Sequence, residues 1–100
     1  MSGYKYLKLN YLHDMIQIIT ADYITLDWLL EEIGKIAPTY KVCRGIDMTR
    51  IEELKGAEKK IGAWIIQILC QQGWEPYSGT GPLDGTVWHH LRYRNVTHEF

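Results

Sequence analysis

The chain has 100 residues, 46% hydrophobic and 23% charged, with 11 Lys and Arg against 12 Asp and Glu for a net charge of −1. That size carries one core rather than two, and the composition excludes a disordered chain, a polyacidic tail and a uniformly basic nucleic-acid binder. Electrostatic steering must come from local patches: Asp22, Asp27, Glu31 and Glu32 crowd one segment, and His89, His90, Arg92 and Arg94 another. A head-to-tail contact between the two would be complementary.

The opening MSGYKYLKLN has no apolar stretch of signal-peptide length. No run approaches the ~20 apolar residues of a membrane span. A cytoplasmic protein without membrane contact is expected, with Cys43 and Cys70 as reduced thiols and Cys70 as a small core residue of its helix.

Residues 4–11, YKYLKLNY, favour a strand with Leu7, Leu9 and Tyr11 on one face and Tyr4, Tyr6 and Lys8 on the other. Leu12-His13-Asp14 turns the chain into MIQIIT, residues 15–20, read as a second strand although periodicity alone does not separate strand from helix in so short a run. Leu26, Leu29, Leu30 and Ile33 recur at helical spacing, so residues 25–37 read as a helix capped by Thr25 and ended by Pro38. Residues 39–46, TYKVCRGI, read as a short strand suited to an edge.

Thr49-Arg50-Ile51-Glu52 fits a capping box. It opens an apolar stripe of Ile51, Leu54, Ala57, Ile61, Trp64, Ile65, Ile68 and Leu69. The spacing predicts a helix over 49–72 closed by Gly73, with Gly56 and Gly62 marking a break near Lys55 or a close approach to the sheet. Trp74 should then seal the helix end. Residues 74–78 follow as a strand that Pro76 restricts to an edge. Residues 79–85, GTGPLDG, lack the following helix that a phosphate cradle needs, and read as a hairpin loop turning at Asp84-Gly85. TVWHHLRYR, residues 86–94, closes the hairpin. The expected fold is a single α+β domain over residues 1–100. Its mostly antiparallel sheet has three to five strands, two helices pack on one face, and the other face is open.

LCQQGWEPYS at 69–78 and VWHHLRYR at 87–94 resemble the closing half of a small bacterial family of unknown function marked by a Gly-Trp-Glu motif. Tyr4 to Leu9 is similar to its opening strand, Gly73-Trp74-Glu75 to its tripeptide, and Leu91 to Arg94 to its closing strand. Residues 12–48 have no counterpart in that pattern. The resemblance implies a fold and self-association, and transfers no catalytic residue.

The strand TVWHHLRYR carries the sharpest candidate site. Alternation sets Val87, His89, Leu91 and Tyr93 on a core face and Trp88, His90, Arg92 and Arg94 on the other. If the opening strand lies alongside, Tyr4 and Tyr6, with Lys8 on their face, extend this aromatic and cationic stripe. Such a surface suits a protein partner, a second copy of the chain (a homo-oligomer) or a small anionic ligand. Nucleic acid or a nucleotide is the alternative, because bases stack on sheet aromatics. A small acid–base enzyme using Glu75 with His89 or His90 is a further alternative. No cofactor is called for. Nor is a metal: His89 and His90 point to opposite faces of a strand, and no Cys or His pair has chelating spacing.

Overall fold

Leu7 and Leu9, and likewise Ile16 and Ile18, stand two residues apart, so extended chain puts each pair on one side and leaves that side to be covered. The computed structural model describes residues 2–37, 39–77 and 88–96. Its elements in chain order are β1 (Ser2–Leu12), β2 (Met15–Thr20), α1 (Tyr23–Ile36), β3 (Lys41–Arg44), β4 (Thr49–Glu52), α2 (Glu58–Gln71), β5 (Glu75–Tyr77) and β6 (His89–Val96). The strands form one antiparallel sheet in the order β3-β4-β2-β1-β6-β5. Leu7, Leu9, Ile16, Ile18, Ile51 and Leu91 meet Leu26, Leu29 and Ile33 of α1 and Ile61, Ile65 and Leu69 of α2 in one buried cluster. The fold is α+β with the helices on one side of the sheet.

The sheet has one strand more than the expected upper limit of five, and the extra strand is β4. Thr49-Arg50-Ile51-Glu52 does not open a helix. Thr49 and Ile51 alternate with Arg50 and Glu52, both are buried, and they pair with Ile18 and Ile16 of β2. After β4 the backbone turns through left-handed conformations at Glu53 (φ 62°) and Lys55 (φ 54°), which no continuous α-helix tolerates. The β1–β2 turn holds this bend. The Asp14 carbonyl accepts from the Leu54 amide at 3.2 Å, and the Asp14 carboxylate accepts from the Gly56 amide. The helix expected over 49–72 is therefore confined to residues 58–71.

α1 also starts earlier than expected. Asp22, not Thr25, is the N-cap, and its carboxylate accepts from both the Thr25 amide (3.3 Å) and the Thr25 hydroxyl (2.6 Å). β3 and β5 occupy the two sheet edges, where short strands and Pro76 limit pairing with foreign strands. The loop turning at Asp84-Gly85 and the residues expected at the start of the last strand, 86 and 87, lie outside the described residues. Cys70 is exposed rather than packed in the core, because Ile61, Ile65 and Leu69 take the inward row of α2 and Cys70 falls a third of a turn away.

The end of α2 is a Schellman closure. The Gly73 amide donates to the Cys70 carbonyl at 3.1 Å and the Trp74 amide to the Leu69 carbonyl at 3.0 Å, with Gly73 at φ 102°. Leu69 and Trp74 are both buried and provide the apolar contact that accompanies this motif. Earlier in α2, a Cβ on Gly62 would lie 2.7 Å from the Tyr11 ring, so the missing side chain lets helix and sheet approach.

Two stability changes follow, both measurable by denaturant unfolding. Trp74→Ala should lose about 3–5 kcal/mol, the range for a buried tryptophan. Gly62→Ala should destabilise by about 1–3 kcal/mol through overpacking against Tyr11, despite the ~1 kcal/mol that alanine gains over glycine in an unobstructed helix; a net gain would mean that α2 does not rest on Tyr11.

Candidate functional site

β1 and β6 pair with Leu7 opposite Leu91, so the residues between the buried ones share the face away from the helices. Tyr4 stands opposite Arg94, Tyr6 opposite Arg92, and Lys8 opposite His90. β5 adds Glu75 beside Arg92 and Tyr77 beside His90. Five of the six residues nominated from sequence (Tyr4, Tyr6, His90, Arg92 and Arg94) thus line up across two neighbouring strands. Trp88, just ahead of β6, joins them through the Lys8 ammonium, 4.9 Å from its ring centre.

The contacts on this face form a chain of rings and cations. The Arg92 guanidinium lies 4.6 Å from the centre of the Tyr4 ring and 5.4 Å from that of Tyr77. Tyr6 packs edge-on to Tyr77 at 6.0 Å, and Tyr77 edge-on to His90 at 5.6 Å. Arg92 also donates to Glu75 at 2.7 Å, which raises its pKa further and cancels its charge locally. Among the described residues Lys8 and Arg94 make no ion pair, so on the β1–β6 part of this face their charges are not cancelled as that of Arg92 is.

β2 stops at Thr20, opposite Leu7, whereas β1 runs on to Ser2. The space beside the overhanging half of β1 is a groove of about 540 Å³ walled by Tyr4, Tyr6, Tyr77 and His90, with Lys8 and Ile19 along it. Tyr6 is 54% exposed there. Nearer the β1–β2 turn, Asn10 on the same strand face is 1% exposed, and neither of its amide atoms has a hydrogen-bond partner. Such a buried, unpartnered group costs free energy.

The groove's rim is fixed by a small polar network. The Thr20 hydroxyl donates to the Tyr6 carbonyl at 2.8 Å and accepts from the Asp22 amide at 3.1 Å. The Lys5 ammonium lies 3.6 Å from the Asp22 carboxylate. Burial works against the Asp22 charge, but the Thr25 hydroxyl and amide and the Lys5 charge outweigh it and hold its pKa below the ordinary value. On the outer strands the Cys43 thiol donates to Glu52 at 2.9 Å, which raises the cysteine pKa and lowers that of the glutamate.

Several sequence-level juxtapositions are not assembled. His89 is on the helix side, stacked on Tyr11 with its Nε2 3.1 Å from the tyrosine hydroxyl, while His90 is on the open side. Glu75 bonds Arg92 rather than either histidine. The acidic segment is engaged within the chain, Asp27 with Arg44 at 2.7 Å and Glu32 with Lys35 at 3.0 Å. No group of three metal-binding side chains occurs among the described residues. Tyr77 is the site residue that sequence reasoning left out; its signal was its place one residue after Pro76, opposite His90 in a hairpin of matched register. Comparison with known proteins returns no matching family model, curated protein or solved structure.

The depressed pKa of Asp22 sets a pH dependence. The unfolded chain takes up this proton at a higher pH than the folded one. The contribution is therefore complete above the ordinary aspartate value near ~3.9 and is lost as pH falls through the lower folded value. Asparagine caps a helix about as well as aspartate. Between about pH 5 and about pH 3, Asp22→Asn should therefore lose stability less steeply than wild type in thermal melts; parallel slopes would show that Asp22 does not titrate with folding.

Proposed function

We propose that this chain is a non-catalytic binding module whose open sheet face takes a small, planar, anionic ligand. The observation that supports the reading best is the groove of about 540 Å³ walled by Tyr4, Tyr6, Tyr77 and His90 with Lys8 along it. Its volume falls within the ~300–1,000 Å³ range of small-molecule sites. Rings supply stacking area, and Lys8 and Arg94 supply positive charge that no ion pair of the described residues cancels. Trp88 and Arg92 shape the surface, Arg92 chiefly as a spacer held between Tyr4, Tyr77 and Glu75. The setting proposed is the cytoplasm. The likeness to the bacterial Gly-Trp-Glu family belongs to the same proposal, as a kinship of fold and self-association.

A second reading is association of two copies through this face, favoured by the exposure of Tyr4 and Tyr6. A protein partner or nucleic acid would use the same residues, and phosphate contacts would make nucleic-acid affinity fall steeply with salt.

Titration with aromatic carboxylates and sulfonates, using 1-anilinonaphthalene-8-sulfonate as reporter, separates these readings. The proposal predicts saturable binding that Tyr6→Ala and Lys8→Ala each weaken about tenfold, as loss of a stacking or cationic contact worth ~1–1.5 kcal/mol requires. Binding indifferent to both substitutions would refute it. A dimer mass by light scattering that reverts to monomer on Tyr6→Ala would favour association of copies.

A further inference from the structure

The helix side of β1 carries a second concavity, of about 370 Å³, between the start of α1, the end of α2 and β6. Trp28, Trp74 and Tyr93 line it, together with the Asp22 carboxylate and Lys5. The Lys5 ammonium sits there 3.6 Å from Asp22 and 5.9 Å from the centre of the Tyr93 ring. The cleft thus already holds a cation between a carboxylate and an aromatic face, supplied by the chain itself.

The two charges are not equally fixed. Asp22 caps α1, is bonded twice by Thr25, and has a side chain only 9% exposed. The Lys5 side chain is 41% exposed on a flexible stem and can swing into water at the cost of one partly exposed ion pair. If Lys5 leaves, the cleft keeps a negative charge and its rings; Asp22 cannot leave without uncapping α1. The asymmetry selects a cationic ligand over an anionic one. Among cations, a methylated ammonium spreads its charge over methyl groups, loses little hydration and presents apolar surface to rings.

We propose that this cleft is a binding site for a quaternary ammonium group, with Lys5 as the built-in occupant that the ligand displaces. The site is distinct from the groove on the opposite face. The two share only the ridge formed by Lys5 and Asp22, and no aromatic residue lines both.

Tetramethylammonium chloride, titrated against sodium chloride at equal ionic strength, tests this by the indole N–H resonances of the four tryptophans. Trp28 and Trp74 should shift saturably, whereas Trp64 and Trp88 serve as internal controls. Lys5→Ala should bind more tightly, by about fivefold at the upper end for release of such a pair. That gain cannot arise from misfolding. Asp22→Asn keeps the cap and should abolish the shifts, and Tyr6→Ala, which disables the groove, should leave them unchanged. Free choline and a trimethyllysine peptide then separate a small-molecule from a protein source by which saturates at the lower concentration. No saturable shift in Lys5→Ala, or equal shifts in Asp22→Asn, overturns the proposal.

Discussion

The register between β1 and β6 is the constraint on which the rest of the molecule depends. With Leu7 opposite Leu91, both leucines face the helices, and Tyr4, Tyr6, Lys8, His90, Arg92 and Arg94 are all forced to the other side. Side-chain direction has a period of two, so a slip of one residue in either strand would exchange the faces. Burial makes that slip costly: it would expose Leu91 and bring Arg92 beneath α2. The polar surface follows from the core, because each inward leucine dictates an outward ring or cation next to it.

A second constraint is the unequal length of β1 and β2. β1 overhangs the end of β2, and the chain leaves Thr20 to start α1 at once. The overhang opens the groove on one face and, with α1 and α2 converging on Lys5, the cleft on the other. Thr20, Asp22 and Lys5 stitch this junction with three hydrogen bonds or ion pairs, so the two concavities share one wall. Two of the arginines are engaged within the chain, Arg44 by Asp27 and Arg92 by Glu75. Among the described residues of the open face, Lys8 on β1 and Arg94 on β6, with Lys41 and Arg50 on the outer strands, make no ion pair.

Much of this was legible in the residues. The period-two leucines of β1, the helical row of α1, the Gly73 closure with Trp74 behind it, and the edge position enforced by Pro76 are each local signals, and local physics decides them. The division of WHHLRYR, residues 88–94, into faces was legible for the same reason, since one buried leucine sets the parity. What local signals misreport is β4. Thr49-Arg50-Ile51-Glu52 satisfies a capping pattern and alternates like a strand; the choice was made by Ile16 and Ile18 of β2, which offer Thr49 and Ile51 a buried pairing, and by Asp14, which clamps the bend after it. Asp22 as cap, and its meeting with Lys5 across 17 positions, needed the same tertiary information. The cleft of Trp28, Trp74 and Tyr93 was hidden because its residues come from elements far apart in the chain.

Cross-strand contacts in a nuclear Overhauser spectrum test the pairing most directly. The account predicts α-proton and amide contacts joining Leu7 with Leu91 and Leu9 with His89. Contacts displaced by one residue, joining Leu7 with His90 or with Arg92, would turn the aromatic and basic row inward and contradict it.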